Sequence, residues 1–432
     1  MTGDAGLIGE VTKVSAGTPP VVVMVKAHGL ENEALIRIRN GASRVTCYAR
    51  PDPQAPCQFT AWQYANKQQP ADLPGVGAGA VVERLNSEDW AVVAGINYYP
   101  AFTDLMGPRV DSTLFKEWLV NAGFVPEGQV LCIQSPPARP VGVADARPTQ
   151  ATINDAFLLL IRQANGKKFH RLGRRLYVFL SGHGIIATRT QTPDWREAAL
   201  LAADADSLSL GKHVCARSWA EWFRALAIFD EVFLFADCCR DQEDLVPPAP
   251  IVVPPWKLER TSEGRHFYAF STKLGSKSWE MPLGAPPNVR GAMSFVVNEA
   301  LKNPKLYDKE GLLTASALGD HIYSAVPKFS QKQNPVVDYD KNPTLPELVI
   351  AKWIPRTMQT IQIDFNPEIP GGMADLFAGS NTNKPLGSHA MDGQPWIQQL
   401  DAGCLYKVTI RGTDRRTLFE TNAIDEVQIV TV

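Results

Sequence analysis

From Trp90 onward the chain alternates short apolar runs with longer stretches in which apolar residues return every three or four positions. The runs Trp90 to Ile96, Gln129 to Ile133, Arg175 to Leu180, Glu231 to Ala236 and His266 to Ser271 have strand length and few polar interruptions. That is the pattern of strands covered on both faces. Leu348 to Trp353 reads as a late addition to the same sheet. The intervening segments predict amphipathic helices at Asp111 to Asn121, Thr152 to Ala164, Ser218 to Ala227, Gly291 to Lys302 and Thr314 to Val326, with Thr152 and Ser218 as N-caps. Repeated strand, helix, strand predicts an α/β domain with a mainly parallel sheet flanked by helices.

Both flanks read differently. Short β-like runs (Val21 to Val25, Leu35 to Ile38, Val45 to Tyr48) between Pro/Gly-rich segments predict an accessory β-rich region over residues 1–85. Beyond Arg356 the runs Thr360 to Asp364, Leu405 to Arg411 and Val427 to Val432 predict a β-sandwich-like domain over residues 356–432. The α/β domain then occupies residues 86–355, interrupted at 241–264 by a proline-rich stretch with the acidic start Asp241-Gln-Glu-Asp244. Long irregular loops of this kind are usually functional or disordered.

Composition narrows the class. With 432 residues, 45% hydrophobic, 20% charged and a net charge of −2, the chain has globular composition and no basic surplus to hold nucleic acid or an anionic membrane. Its first residues have neither a basic leader nor an apolar signal segment, and no apolar run approaches the roughly 18–20 residues of a membrane span. The seven cysteines are odd in number and irregularly spaced, which disfavours a disulfide framework. We therefore expect a cytoplasmic protein with reduced thiols.

Two strand ends carry the chemistry. The run through Leu180 ends in Ser181-Gly182-His183-Gly184, and the run through Ala236 ends in Asp237-Cys238-Cys239-Arg240. An unperturbed thiol has a pKa of about 8.5 and needs a neighbouring imidazole to become an effective nucleophile. His183 is the candidate base, although a lone strand-end histidine is as often a structural one. Period-two alternation sets Asp237 and Cys239 on one face and Cys238 on the other with Ala236. Cys239 is therefore the candidate nucleophile, and Cys238 the packed hydrophobe. The N–H groups of Gly184 and Cys239 are the candidate oxyanion donors.

These motifs resemble the caspase and metacaspase proteases. The interval of 56 positions between His183 and Cys239 is recognised as the caspase pattern, with its histidine about 50 residues before the cysteine. Ala91-Val-Val-Ala-Gly-Ile-Asn-Tyr-Tyr99 followed by Leu105-Met-Gly-Pro-Arg-Val-Asp111 is similar to the metacaspase opening, and Asp237-x-Cys239 to its Asp-x-Cys. Phe270-Ser271-Thr272, Gly275 and Ser278-Trp279 resemble the strand and loop that line the caspase substrate groove. The similarity spans about residues 88–352 and implies a cysteine endopeptidase acting on protein substrates.

The resemblance also implies specificity. The metacaspase positions matching Asp111 and Asp237 form an acidic pocket for the residue before the scissile bond (P1), and Glu280 stands where caspases have an arginine that holds aspartate. Three acids imply cleavage after Arg or Lys, with Ser271 and Trp279 as further substrate-binding residues. Each acid has a plainer reading: Asp111 as a helix cap, Glu280 as a solvated loop residue, and Asp237 as a strand-end acid. The loop 241–264 matches the caspase processing linker, so Lys257, Arg260 and Arg265, together with Arg189 in the exposed segment Ile185 to Arg196, are expected self-cleavage sites of a zymogen.

Departures from the family pattern limit other expectations. Arg240-Asp241-Gln242 follows the cysteine instead of the metacaspase His-Ser-Gly, and the Asp-Asp pair that contributes to calcium binding is missing after Asp204. Asp194, Asp204 and Asp206 offer oxygens to a hard cation, but such acids are more often turn residues. His213 and Cys215 fit no zinc spacing. No cofactor or metal is expected. The terminal β regions suggest an upstream activating protease or a regulatory protein as partner, in signalling, defence or cell death. The alternatives are another protease of the same clan, gingipain-like or separase-like, and a catalytically silent caspase-like scaffold.

Overall fold

The computed structural model describes the chain except residues 1–5, 16–18, 25–29, 31–33, 41–42, 64–69, 74–75, 77–80, 168–169, 190–191, 207–210, 241–246, 249–262, 285–287, 353–357, 367–369, 379–384, 402–404 and 422–426. Two units emerge, the first from Met1 to Leu301 and Lys305 to Lys352, the second from Trp353 to Val432 with Lys302–Pro304.

The first unit begins with six strands, β1 (Gly6–Val14), β2 (Val21–Met24), β3 (Ala34–Asn40), β4 (Ser43–Asp52), β5 (Ala55–Trp62) and β6 (Val81–Arg84). They close into a barrel in the order β1-β2-β5-β4-β3-β6, which removes the free edges that so small a sheet would expose. Inward-facing Val22, Ile36, Ile38, Phe59, Ala61 and Val82 are fully buried.

The α/β part follows as β7 (Asp89–Gly95), α1 (Pro108–Asn121), β8 (Val130–Gln134), α2 (Gln150–Ala164), β9 (Gly173–Gly182), β10 (Gly184–Arg189), β11 (Thr192–Leu201), β12 (His213–Cys215) and α3 (Ala216–Ala225). It continues with β13 (Phe229–Cys238), β14 (Arg265–Phe270), β15 (Glu280–Leu283), β16 (Asn288–Gly291), α4 (Ala292–Ala300), β17 (Leu312–Thr314), α5 (Ala315–Phe329), β18 (Val336–Tyr339) and β19 (Val349–Lys352). The central sheet has the order β18-β14-β13-β9-β7-β8, with β18 antiparallel to β14 and every other pairing parallel.

Both faces of this sheet are sealed, which accounts for the nearly unbroken apolar runs. Val92, Ala94, Leu176, Val178, Leu180, Val232, Leu234 and Ala236 pack in one cluster with residues of α2 and α3. Ala91, Val93, Tyr177, Phe179, Phe233 and Phe235 pack in the other with residues of α1, α4 and α5. Phe115 of α1 stacks on Phe179 at 4.6 Å between centroids and meets Phe235 at 5.4 Å. The barrel is fastened beneath: Arg37 donates through Nε to Glu83 Oε2 (2.6 Å) and through Nη1 to the carbonyl of Val120 at the end of α1 (2.6 Å).

Several expectations are corrected. The sixth sheet strand is β18; the expected addition, Leu348 to Trp353, yields β19, which pairs with β17 instead. Helix α1 starts at Pro108, whose fixed φ suits a first helical position, so Asp111 lies inside it. The cap of α2 is Thr149, whose hydroxyl accepts the Thr152 N–H. Ser218 lies within α3, and its N–H and hydroxyl both reach the Glu197 carboxylate at 2.5 Å, a cap delivered from a neighbouring strand. The segment expected to be exposed at Ile185 to Arg196 forms the β10–β11 hairpin, with Ile185, Ile186 and Ala187 buried.

The second unit is a two-sheet sandwich. Strands β20 (Met358–Asp364), β21 (Met373–Ala378), β22 (Gly387–Ala390), β23 (Trp396–Asp401), β24 (Leu405–Ile410), β25 (Arg416–Glu420) and β26 (Val427–Thr431) form sheets of order β23-β20-β26 and β22-β21-β24-β25. Ile361, Ile363, Trp396 and Val430 from one sheet share a core with Leu376, Tyr406, Val408 and Ile410 from the other. No described helix of the chain is long and apolar enough to cross a membrane.

At the foot of the central sheet, Asp89 is 2% exposed, and burial pushes its carboxyl up to about 6 against the pull of Arg175 and Arg174. The folded chain then keeps a proton that the unfolded chain releases near pH 4, so this residue withdraws about 3 kcal/mol of stability as pH rises through that window. Urea unfolding of Asp89→Asn between pH 4.5 and 7.5 is expected to show a flatter loss of stability than the parent. Parallel curves would contradict it.

Candidate active site

Strands β9 and β13 run parallel with Asp237 opposite Ser181 and Cys238 opposite Gly182, an offset of 56 positions. His183 and Cys239 are the residues that directly follow this last pair, so both leave the carboxyl ends of adjacent strands, which lie about 4.8 Å apart. Cys238 continues the Ala236 face into the apolar cluster, where burial drives its thiol far above the ordinary range. Cys239 is only partly buried; its Sγ accepts the Ser278 N–H at 3.3 Å and lies 3.5 Å from the Ser278 carbonyl. Gly184 permits the crowding here, since a Cβ on it would lie 2.4 Å from the Cys239 carbonyl oxygen and 2.7 Å from Cys238 Cβ.

The imidazole of His183 is held by three groups. Its Nε2 lies 2.7 Å from the Thr103 carbonyl, and because a carbonyl only accepts, Nε2 carries the hydrogen. In the neutral ring Nδ1 is then the basic nitrogen. Tyr99 packs edge-on at 4.7 Å between centroids, and Phe102 at 6.3 Å. The fully buried Tyr99 hydroxyl accepts the His183 N–H at 3.0 Å and donates to the Leu201 carbonyl at 3.2 Å. Neither the Thr103 carbonyl nor the Tyr99 hydroxyl was singled out from sequence. A backbone carbonyl has no sequence signature, whereas Tyr99 stands in the Asn-Tyr-Tyr motif itself.

Asp111 and Asp237 converge. A Cβ on Gly291 would lie 2.3 Å from Asp237 Oδ2 and 3.4 Å from Asp111 Oδ2, so the two carboxylates share that glycine as a wall. Asp237 accepts from Ser278 Oγ at 2.6 Å and from the Ser294 N–H at 2.8 Å, an otherwise orphaned donor of the first turn of α4. Asp111 is wholly buried; it accepts from Arg290 Nε and from the Gly291 N–H at 2.8 Å. Burial pushes its carboxyl up to about 7, with Arg290 acting in the opposite direction. Arg290 escaped the sequence reading because it meets Asp111 only through the fold, 179 positions away.

The other expected pocket residues lie differently. Both Glu280 oxygens accept from the Met106 N–H at 3.1 Å, and one from the Gly107 N–H at 2.9 Å, so this acid fixes the start of α1. Ser271 is wholly buried and donates to the Cys238 carbonyl at 3.1 Å, bracing the thiol strand. Trp279 remains 44% exposed, and its N–H is held by the buried Gln333 at 3.1 Å, a residue with no sequence signal.

A model of the caspase domain matches residues 88–343. The chain belongs to the caspase domain family. No curated protein matches it. Among solved structures it is similar to protein GSU0716 from Geobacter sulfurreducens, with 14% identity and a TM-score of 0.40 over 62% of this chain and 99% of that one. It is also similar to pro-sf-caspase-1, with 14% identity and a TM-score of 0.34 over 59% of this chain and 88% of that one. The fold is caspase-like, and the family is one of cysteine peptidases.

Around this caspase domain the expected processing sites fall unevenly. Lys257 and Arg260 lie outside the described residues, as does the Arg189 side chain at the end of β10. Arg265 opens β14 opposite Glu231 and donates to the Pro346 carbonyl at 2.9 Å, so the peptide bond after it lies inside the central sheet. Cleavage there would require a core strand to be pulled out. Among the described residues no group of three His, Cys, Asp or Glu side chains is placed to hold a metal ion. Asp204 instead accepts the Gln150 N–H and pairs with Lys212.

Gly184→Ala tests how tightly the two strand ends are joined. Its methyl would press on backbone and buried atoms, with an expected loss of about 1–3 kcal/mol in denaturant unfolding and altered alkylation of Cys239. Gly128→Ala, where nothing lies within 4 Å, is the control, and equal effects at the two glycines would refute the crowding.

Proposed function

We propose that the caspase domain is an endopeptidase in which Cys239 attacks the scissile carbonyl and His183 moves the proton, cutting after Arg or Lys. The observation that carries this reading is the β9–β13 register, which brings an accessible thiol and a carbonyl-oriented imidazole to neighbouring strand ends. Nδ1 of His183 takes the thiol proton as the S–C bond forms, then delivers it to the leaving amine when the C–N bond breaks. Water then hydrolyses the thioester under the same base. The Thr103 carbonyl fills the orienting place that a carboxylate takes in serine triads.

Oxyanion donors come from Gly184 and Cys239. The Leu201 N–H donates to the His183 carbonyl, the arrangement that surrounds a non-hydrogen-bonded Gly184–Leu200 pair. That ladder therefore does not consume the Gly184 N–H, which is left for a developing alkoxide. Asp111 and Asp237 supply the charge for a basic P1 side chain, and Glu280 acts indirectly by fixing the loop into α1. The chain in this reading is a cytoplasmic zymogen, clipped at basic residues of the 241–264 loop by itself or an upstream protease.

Fluorogenic peptides with Arg, Lys or Asp at P1 test this, with and without calcium. The parent and Cys238→Ala are expected to cleave after Arg or Lys, and Cys239→Ala to lose about a thousandfold or more. Cleavage after Asp would overturn the acidic pocket and spare the dyad. Activity lost in Cys238→Ala but kept in Cys239→Ala would overturn the choice of nucleophile.

A further inference from the structure

Arg290 occupies the position that the proposed function reserves for a substrate. Its Nε is bonded to Asp111 Oδ1, its guanidinium lies 5.4 Å above the Phe295 ring, and the residue is 5% exposed. Asp111 is wholly buried and Asp237 is 5% exposed, so neither acid faces solvent while Cys239 does. A guanidinium entering from outside would therefore find a pocket that already holds one. Three polar atoms here are buried without a hydrogen-bond partner among the described residues, Nη2 of Arg290, Oγ of Ser294 and Oδ1 of Asn298, whose Nδ2 donates to the Asp111 carbonyl. Unsatisfied groups of this kind mark an arrangement that a different occupant could complete.

We propose that Arg290 is the resident occupant of the acidic pocket and that a P1 arginine or lysine binds by displacing it. Arg290 is thereby a specificity-determining residue. The proposal rests on the basic-P1 reading above and deepens it. Exchange of one cation for another leaves the charge around Asp111 and Asp237 unchanged, so substrate entry need not bury an unpaired carboxylate. Arg290 is suited to leave: it belongs to β16, one arm of the two-stranded β15–β16 hairpin, which the central sheet does not include. A substrate without a P1 cation has nothing to offer Asp111 in return. The device thus rejects neutral and acidic P1 residues more strongly than an empty acidic pocket would.

The test compares KM and kcat of the full chain, Arg290→Gln and Arg290→Lys on peptides with Arg, Lys or Asp at P1. Arg290→Gln removes the competitor and is expected to lower KM for the P1-Arg peptide about tenfold, the worth of one charge-assisted hydrogen bond, with kcat little changed. Arg290→Lys keeps a cation in place and stays near the parent. Asp111→Asn removes the carboxylate that both cations share and raises KM for P1-Arg; in the double variant Asp111→Asn/Arg290→Gln that rise persists, because the vacated position no longer holds a carboxylate. The double variant buries neither charge, so if Arg290→Gln does not fold its KM for P1-Arg is compared with that of Asp111→Asn, and little difference between the two is expected.

An unchanged or raised KM for P1-Arg in folded Arg290→Gln, or a tenfold fall on adding Arg290→Gln to Asp111→Asn, overturns the displacement while leaving the basic-P1 reading intact. Cleavage of only the P1-Asp peptide by parent and variant alike overturns that reading, and the displacement falls with it.

Discussion

Parallel pairing of β9 with β13 is the constraint on which the candidate site depends. Each residue of β13 faces the β9 residue 56 positions earlier, and the pairing holds from Glu231 opposite Arg175 to Cys238 opposite Gly182. A slip of one residue would turn every buried Phe and Val of these strands to the wrong face of a sheet covered on both sides. The hydrophobic packing of the whole domain therefore enforces the separation of His183 and Cys239. Precision at the site comes from the two cores, and the loops beyond the strand ends need only add donors and acceptors. Tyr99 is one such addition, fixing the backbone of His183 from the loop after β7, the strand on the other side of β9.

Much of this architecture was legible in sequence because the signals are local. Strands sealed on two faces leave apolar runs, and the alternation within Glu231 to Cys239 separates the buried thiol from the accessible one. What escaped was set by tertiary contact. Residues Val336–Tyr339 carry no run long enough to announce a strand and become one only against β14. Glu197 caps α3 from 21 positions away, so Ser218 looked like the cap. The barrel was readable only as scattered β-like runs, since closure depends on pairings such as β1 with β6 that no short window contains. At the site, the strand-end residues His183, Asp237 and Cys239 were readable from motif and periodicity. The placement of Glu280 against α1 and of Arg290 against Asp111 was not, because both follow from how the segment after β14 folds back.

Buried charge links that fold-back to the rest of the domain. A carboxylate inside a protein is tolerated only when donors surround it, and removing one partner leaves a charge that costs several kcal/mol. Asp237 draws its donors from Ser278 and from the first turn of α4, while Asp111 draws its own from Arg290 and Gly291. Each acid therefore pins the segment between β14 and α4 to a different strand or helix, and Gly291 is the point where the two demands meet. The same bonds brace the thiol: Ser278 touches both Asp237 and Cys239, so the side chain that satisfies an acid also sets the loop against the sulfur. A rearrangement of Asp237 is then felt at Cys239 through Ser278, without a separate element to carry the coupling. Charge satisfaction and thiol placement are one structural problem here, and the loop from Ser271 to Gly291 solves both.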